Sequence, residues 1–346
     1  MSTQTPPTVV TFGELMMRLS TPSLERFSQA RQFETAFGGA EGNVAVSLAL
    51  FGCKSVFITA LPDNPLGDRA VQELRRWGVD VSHVVRTGER LGLYFMEAGA
   101  NQRSGQVVYD RAGSSFATLD SDAIDWASVM PGAKPGNWFH ISGISPAVSE
   151  TAARLSFEAM KAARASGMTV SLDLNYRSRL WNYGKVPAEV LTPMVELADI
   201  LIAGRGDCQH ALDIHGTGDP NSNAYFETLT QTVMDRFPNL KKVAVTIRDS
   251  RSAEHHNWAA CLRTPNGIRF SRRYEIKDIV DRVGSGDAFS AGLIYALATK
   301  MKHDQALEFA AAANCLKHSV AGDFNLVSAE EVSDIATGGG QGRVKR

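Results

Sequence analysis

Short, almost wholly apolar runs recur along this chain, and helical patterns fall between them. The runs are VVTFGE (9–14), KSVFITAL (54–61), NWFHISG (137–143), MTVSLDLN (168–175), ADILIAG (198–204) and KKVAVTIR (241–248). A strand with one wet face alternates apolar and polar residues, whereas a strand covered on both faces reads as a continuous apolar run. NVAVSLALF (43–51) and TAARLSFEAMKAARASG (151–167) read as helices, the second ending on Gly167 as a C-terminal cap. The expected fold class is therefore α/β: a Rossmann-like three-layer domain with a mostly parallel sheet. Ligands of such sheets lie beyond the carboxyl ends of the strands.

Two segments break that rhythm. Residues 15–37 and 91–118 read as short antiparallel strands with turns, and LGLYFMEAG pairs with GQVVYDRAG as a hairpin across NQRS. Such a patch is either a small antiparallel β lid over the strand ends or an edge extension of the main sheet. With no internal repeat and no long linker, residues 8–330 form one expected domain, lid included. The Gly-rich, basic stretch 331–346 is an expected flexible tail.

Composition excludes several function classes. Lys and Arg number 36 against 37 Asp and Glu, which argues against nucleic acid or an anionic membrane as the main partner. The polar opening predicts no secretory signal, and no apolar run reaches membrane-spanning length. Cys53, Cys208, Cys261 and Cys315 are far apart, without metal-ligand spacing, and read as reduced thiols of a cytoplasmic protein. His255 and His256 read as loop residues.

The chemistry concentrates in DRVGSGDAFSAGLIYAL (281–297). A helix begins there near Gly286 or Asp287 and is apolar on almost all sides, so it is buried. Lys300, Lys302 and His303 suit the negative end of its dipole. Its start carries unpaired N–H groups, and Gly284 and Gly286 let a ligand approach the backbone closely. Together these make an anion nest suited to phosphate. Asp287 is either a helix cap or a base for phosphoryl transfer to an alcohol. Phe289 breaks the dinucleotide glycine fingerprint, and the P-loop and protein-kinase signatures are absent.

These residues resemble a family. DRVGSGDAF is similar to the D-x-x-G-[AS]-G-D motif of the ribokinase-like (PfkB) carbohydrate kinases. GGAEGNVAVSLALFG (38–52) is similar to their N-terminal motif, and LPDNPLGD (61–68) to the segment after it. Within the family, TFGELMMRLS, RLGLYFMEAG, VVYDRAGSSFA and LDLNYRSRLW resemble the subgroup acting on 2-keto-3-deoxygluconate. The resemblance covers roughly residues 8 to 325. It implies ATP and Mg²⁺ as cofactors, with a monovalent cation as a further candidate. It also implies phosphorylation of a sugar acid's terminal 6-hydroxyl and a homo-oligomer built through the lid.

Carried over, the resemblance makes Asp287 the base and Gly284, Ser285 and Gly286 the anion hole. Gly39 and Asn43 touch sugar hydroxyls, and Tyr94, Tyr109, Arg111 and Arg177 touch the keto acid. Asn175 and Tyr176 fall near the nucleotide phosphates. A fixed Arg is what a pocket preferring a carboxylate needs. The alternatives are two surface arginines and two hairpin-core tyrosines.

Three positions depart from the family pattern. Gly204 stands where many members have asparagine, and Asp207 stands at a glutamate position tied to the metal, which it would reach through water. The stretch 246–257 lacks a glycine turn. There Thr246, Arg248 and Arg251 are candidate nucleotide contacts, with a surface loop as the alternative. Arg282 replaces a small hydroxyl residue and either adds charge near the phosphates or pairs with Asp281. Other expectations are a kinase for fructose, ribose or the galactonate isomer, a non-catalytic sugar-acid sensor, and, more weakly, a dinucleotide oxidoreductase.

Overall fold

The computed structural model describes residues 6–130, 134 and 136–339. The chain begins with β1 (Thr8–Phe12), β2 (Met16–Ser20), β3 (Glu34–Gly38), α1 (Ala40–Leu50), β4 (Lys54–Ile58), β5 (Ala60–Leu61) and α2 (Pro65–Arg76). It continues through β6 (Val85–Arg86), β7 (Gly92–Glu97), β8 (Gln106–Asp110), α3 (Trp126–Val129), β9 (Trp138–Ser142), α4 (Glu150–Ala165) and β10 (Thr169–Asp173). Then come α5 (Pro187–Leu197), β11 (Ile200–Gly204), α6 (Arg205–Leu212), α7 (Asn223–Arg236), β12 (Lys242–Ser250) and β13 (His256–Thr264). The last elements are β14 (Gly267–Phe270), β15 (Tyr274–Ile276), α8 (Ser285–Ala298), α9 (His303–Lys317) and α10 (Ala329–Ala336).

The main sheet runs β14-β13-β12-β11-β10-β9-β1-β4, with β15 also pairing β13. From β12 to β4 every neighbour is parallel; β13, β14 and β15 add an antiparallel edge. Alternate residues of one strand feed two cores. Leu201 and Ala203 of β11 pack with α4, α5, α6 and α7, while Ile200 and Ile202 pack with α8, α9 and α10. That is the both-faces burial that the continuous apolar runs imply.

β3-β2-β7-β8 form a separate four-stranded sheet, so the lid is not an edge extension. β7 and β8 pair as the expected antiparallel hairpin, with Tyr94 opposite Tyr109. The two lid segments meet in parallel, however, because β2 pairs β7 with Arg18 opposite Tyr94. Arg18 enters the buried cluster described below, and that contact fixes the register.

Several expectations are corrected. α8 ends at Ala298; Lys300 has φ 62° just beyond it, and Lys302 and His303 open α9 instead. Only Lys300 therefore stays at the α8 C-terminus, just beyond its cap, while Lys302 and His303 belong to the start of α9. His256 is no loop residue: it starts β13, opposite Ser250, and is fully buried. The glycine-free stretch is mostly the β12–β13 hairpin, because its pairing carries both strands out to residues 250 and 256. The expected tail from 331 is helical as far as Ala336, since Ser328 caps α10 and Val332 buries against α9; residues 340–346 lie outside the described residues. The cysteines form no disulfide. No helix of the described residues is long and apolar enough to cross a membrane.

Candidate active site

A cavity of about 780 Å³ opens beyond the carboxyl ends of β10, β11 and β12, under the lid strands. Its size is that of a small-ligand site. Met16, Tyr94, Val107 and Tyr109 reach it from the lid, and Asp173, Gly204 and Thr246 reach it from the strand ends.

The start of α8 forms one wall. Gly284 caps the helix in the left-handed region, φ 80°, and a Cβ there would stand 2.2 Å from the Asp323 carbonyl oxygen. Only glycine satisfies both conditions. Ser285 N–H donates weakly to the Arg282 carbonyl at 3.3 Å, whereas the N–H groups of Gly284, Gly286 and Asp287 have no backbone acceptor among the described residues. The nest is thus those three donors, with Ser285 as its hinge.

Asp287 lies in the first helical turn with its side chain buried. Asn43 Nδ2 donates to its Oδ2 at 2.6 Å. Asn43 in turn accepts from the Gly39 N–H through Oδ1 at 3.3 Å, so the start of α1 is aimed at the start of α8. Burial pushes the Asp287 carboxyl up to about 6, against the Asn43 hydrogen bond and the Arg177 charge. A carboxyl with that value is largely ionised at neutral pH and able to accept a proton. It does not cap its own helix with a hydrogen bond.

Arg177, Arg248 and Arg282 line the cavity and form no ion pair among the described residues. Burial lowers the Arg248 pKa, and the charges of Arg282 and Arg177 lower it further. Guanidinium groups that repel one another yet line one cavity suit anionic ligands. Arg282 does not pair with Asp281, whose carboxylate is held by Arg18 at 2.7 Å.

The other expected residues divide. Asn175 lines the cavity with φ 36°, its N–H bonded to Asp173 Oδ1 at 3.2 Å. Thr246 also lines it. Tyr176 does not: its ring stacks on His210, 5.9 Å between centroids. Arg251 does not line the cavity; it faces Asp249, 3.8 Å away at the rim. Arg111 is not brought to the cavity either. It is buried in an ion pair with Glu14, its Nε 2.7 Å from Oε2. Arg111 and Arg177 therefore do not meet at one ligand, because Glu14, also bonded by Ser114, claims Arg111 first.

Asp207 lines the cavity but serves backbone donors. Its Oδ2 accepts from Gly204 N–H at 2.6 Å and its Oδ1 from Tyr176 N–H at 3.1 Å. Gly204, a glycine where the family carries an amide, thus becomes the N-cap that Asp207 holds. No group of three or more His, Cys, Asp or Glu among the described residues is placed to hold a metal alone.

Sequence reasoning missed two groups. Asp173 ends β10 at the cavity, where burial and then the charges of Asp207 and Asp287 raise its pKa well above the carboxylate range. Its position at a strand's carboxyl end was the available signal. Asp323 accepts from the Tyr94 hydroxyl and from Arg18 at 2.9 Å, tying both lid segments to the core. No local motif marks it.

A parallel α/β sheet, a lidded cavity and an anion nest define the class of small-molecule kinases. A model of the pfkB family of carbohydrate kinases matches residues 7–246 and 259–326, and the chain belongs to that family. The chain is 34% identical over 336 residues to the 2-dehydro-3-deoxygalactonokinase of Haloferax volcanii, covering 96% of this chain and 98% of the relative. It is 26% identical to the 2-dehydro-3-deoxygluconokinase of Bacillus subtilis, covering 91% of each. The crystal structure of the Thermotoga maritima 2-dehydro-3-deoxygluconokinase superposes with a TM-score of 0.91 at 42% identity, covering 96% of this chain and all of that one. The chain is thus a carbohydrate kinase of the pfkB family.

Proposed function

We propose that the protein transfers the γ-phosphoryl group of ATP to the terminal 6-hydroxyl of 2-keto-3-deoxy-D-gluconate, giving the 6-phosphate. The carrying observation is the buried Asp287 carboxyl, held by Asn43 at the mouth of the nest. In this reading Asp287 accepts the hydroxyl proton as the new O–P bond forms and the bond to ADP breaks. The N–H groups of Gly284, Gly286 and Asp287 hold the charge on the moving phosphoryl group. Arg248 and Arg282 bind the polyphosphate, and Asn175 and Thr246 border it. Mg²⁺ would neutralise phosphate charge, with Asp207 reaching it through water.

Arg177 supplies the fixed cation for the sugar carboxylate, and Tyr94 and Tyr109 close over the sugar from the lid. Gly39 and Asn43 face its hydroxyls. Arg111 acts through Glu14, as a strut beneath the lid. A homo-oligomer built through the lid is part of this reading; Val108 and Tyr109 are exposed on β8.

The galactonate epimer is the second reading, favoured by the relative that is 34% identical. An ADP-release assay over 2-keto-3-deoxygluconate, 2-keto-3-deoxygalactonate, fructose and ribose separates them. The gluconate form is expected to have the highest kcat/KM. Turnover of fructose without either keto acid would reject the proposal, and no turnover at all would favour a sensor.

A further inference from the structure

We propose that the Lys317 ammonium serves as a built-in monovalent cation behind the anion nest, so that this kinase needs no potassium or ammonium ion from solution. Proteins hold monovalent cations with backbone carbonyl oxygens that replace the ion's water. Beside the nest such oxygens do converge on a cation, and that cation belongs to the chain. Lys317, in the last turn of α9, is fully buried. Its Nζ donates to the carbonyl oxygens of Val320 at 2.8 Å and Asp281 at 3.3 Å, with no direct ion pair among the described residues.

The two carbonyls belong to the two segments that shape the nest. Asp281 leads into Gly284, and its carboxylate holds the N–H groups of Val283 at 3.0 Å and Gly322 at 3.1 Å. Val320 leads into Asp323, whose carbonyl abuts Gly284. The ammonium therefore clasps both segments from behind.

A buried ammonium is expensive, and a neutral amide would make the same two bonds. What the amide lacks is charge. Burial lowers the Lys317 pKa, while the Asp281 and Asp323 carboxylates favour the charged form. Those carboxylates are already paired by Arg18. The remaining positive charge adds to the potential at the α8 N-terminus, where phosphate would sit. A free cation does not fit while Lys317 fills this position.

The activity arm of the test rests on the kinase reading; the melting arm does not. Wild-type turnover is expected to change less than about twofold when choline is replaced by potassium, ammonium or sodium at fixed ionic strength. Lys317→Ala should lose about tenfold or more in kcat and recover it with potassium or ammonium but not choline. Its melting temperature should rise with potassium or ammonium relative to choline, while the wild-type value stays still. Lys317→Gln, which keeps neutral donors, should fold yet stay slow; it also stands in if the alanine variant does not fold. Activation of the wild type by a monovalent cation, full activity of Lys317→Gln, or a melting temperature of Lys317→Ala indifferent to the cation would overturn the proposal. If the wild type phosphorylates no sugar, the kinase reading fails alone and the melting series still decides this one.

Discussion

Asn43 Nδ2 and Asp287 Oδ2 meet at 2.6 Å although 244 residues separate them in the chain. This bond opposes burial, which raises the Asp287 pKa to about 6. The carboxylate is the form needed to take a proton, so kcat should fall as pH drops through about 6. Asn43→Ala removes a hydrogen bond that favours the charged form, so the acidic limb of the pH–rate profile should move to higher pH. An unmoved limb would separate Asp287 from the observed titration.

Asp287→Ala should reduce kcat by roughly a hundredfold or more with little loss of sugar affinity. Single-turnover rates and equilibrium sugar binding, measured on the same preparation, check the two halves of that statement.

Arg177 and Arg111 should behave differently. Arg177 is exposed at the cavity and forms no ion pair among the described residues, so Arg177→Ala should raise KM for the keto acid by about tenfold or more without changing the melting temperature. Arg111→Ala leaves Glu14 buried and unpaired, and should destabilise the fold by roughly 3–5 kcal/mol. Urea denaturation of the two variants gives the contrast; equal losses of stability would contradict it.

Gly284→Ala combines a left-handed backbone with a Cβ 2.2 Å from the Asp323 carbonyl. The backbone alone costs roughly 1–2 kcal/mol, and the clash adds to it by pushing the nest open. Melting temperature and kcat should both fall. At Gly286 a Cβ would meet nothing within 4 Å, so Gly286→Ala should melt like the wild type.

Glu41 supplies a pH test of stability away from the cavity. Its Oε1 accepts from Ser142 N–H, Ser142 Oγ and Ser145 Oγ, each at 2.8 Å. Burial still pushes its carboxyl up from 4.5 to about 7. A pKa raised on folding means stability that is present at low pH and lost as pH rises through this window. Gln cannot ionise, so the stability of Glu41→Gln relative to wild type should improve between pH 4.5 and 7. Denaturation at both ends of that window measures it, and an unchanged difference would show that Glu41 does not titrate there.

Local patterns were legible wherever one short segment contains its own reason. Continuous apolar strands require helices on both faces, and the glycines of GSGD require a close approach to the helix start. The parallel sheet, the hairpin of β7 and β8 and the helix beginning at Ser285 follow from such segments. The sequence by itself therefore determined the fold class and the position of the nest. Only the tertiary structure decided which charges are free to act. Arg111 and Arg177 look alike in sequence, yet Glu14 neutralises one while the other stays open to the cavity. Asp323 and Lys317 carry no motif, and the motif that contains Asp281 does not say what that carboxylate holds, because the partners come from β2, β7 and the segment after α9. A charge's role depends on what lies within a few ångströms of it, and that distance is set by the packing of remote segments.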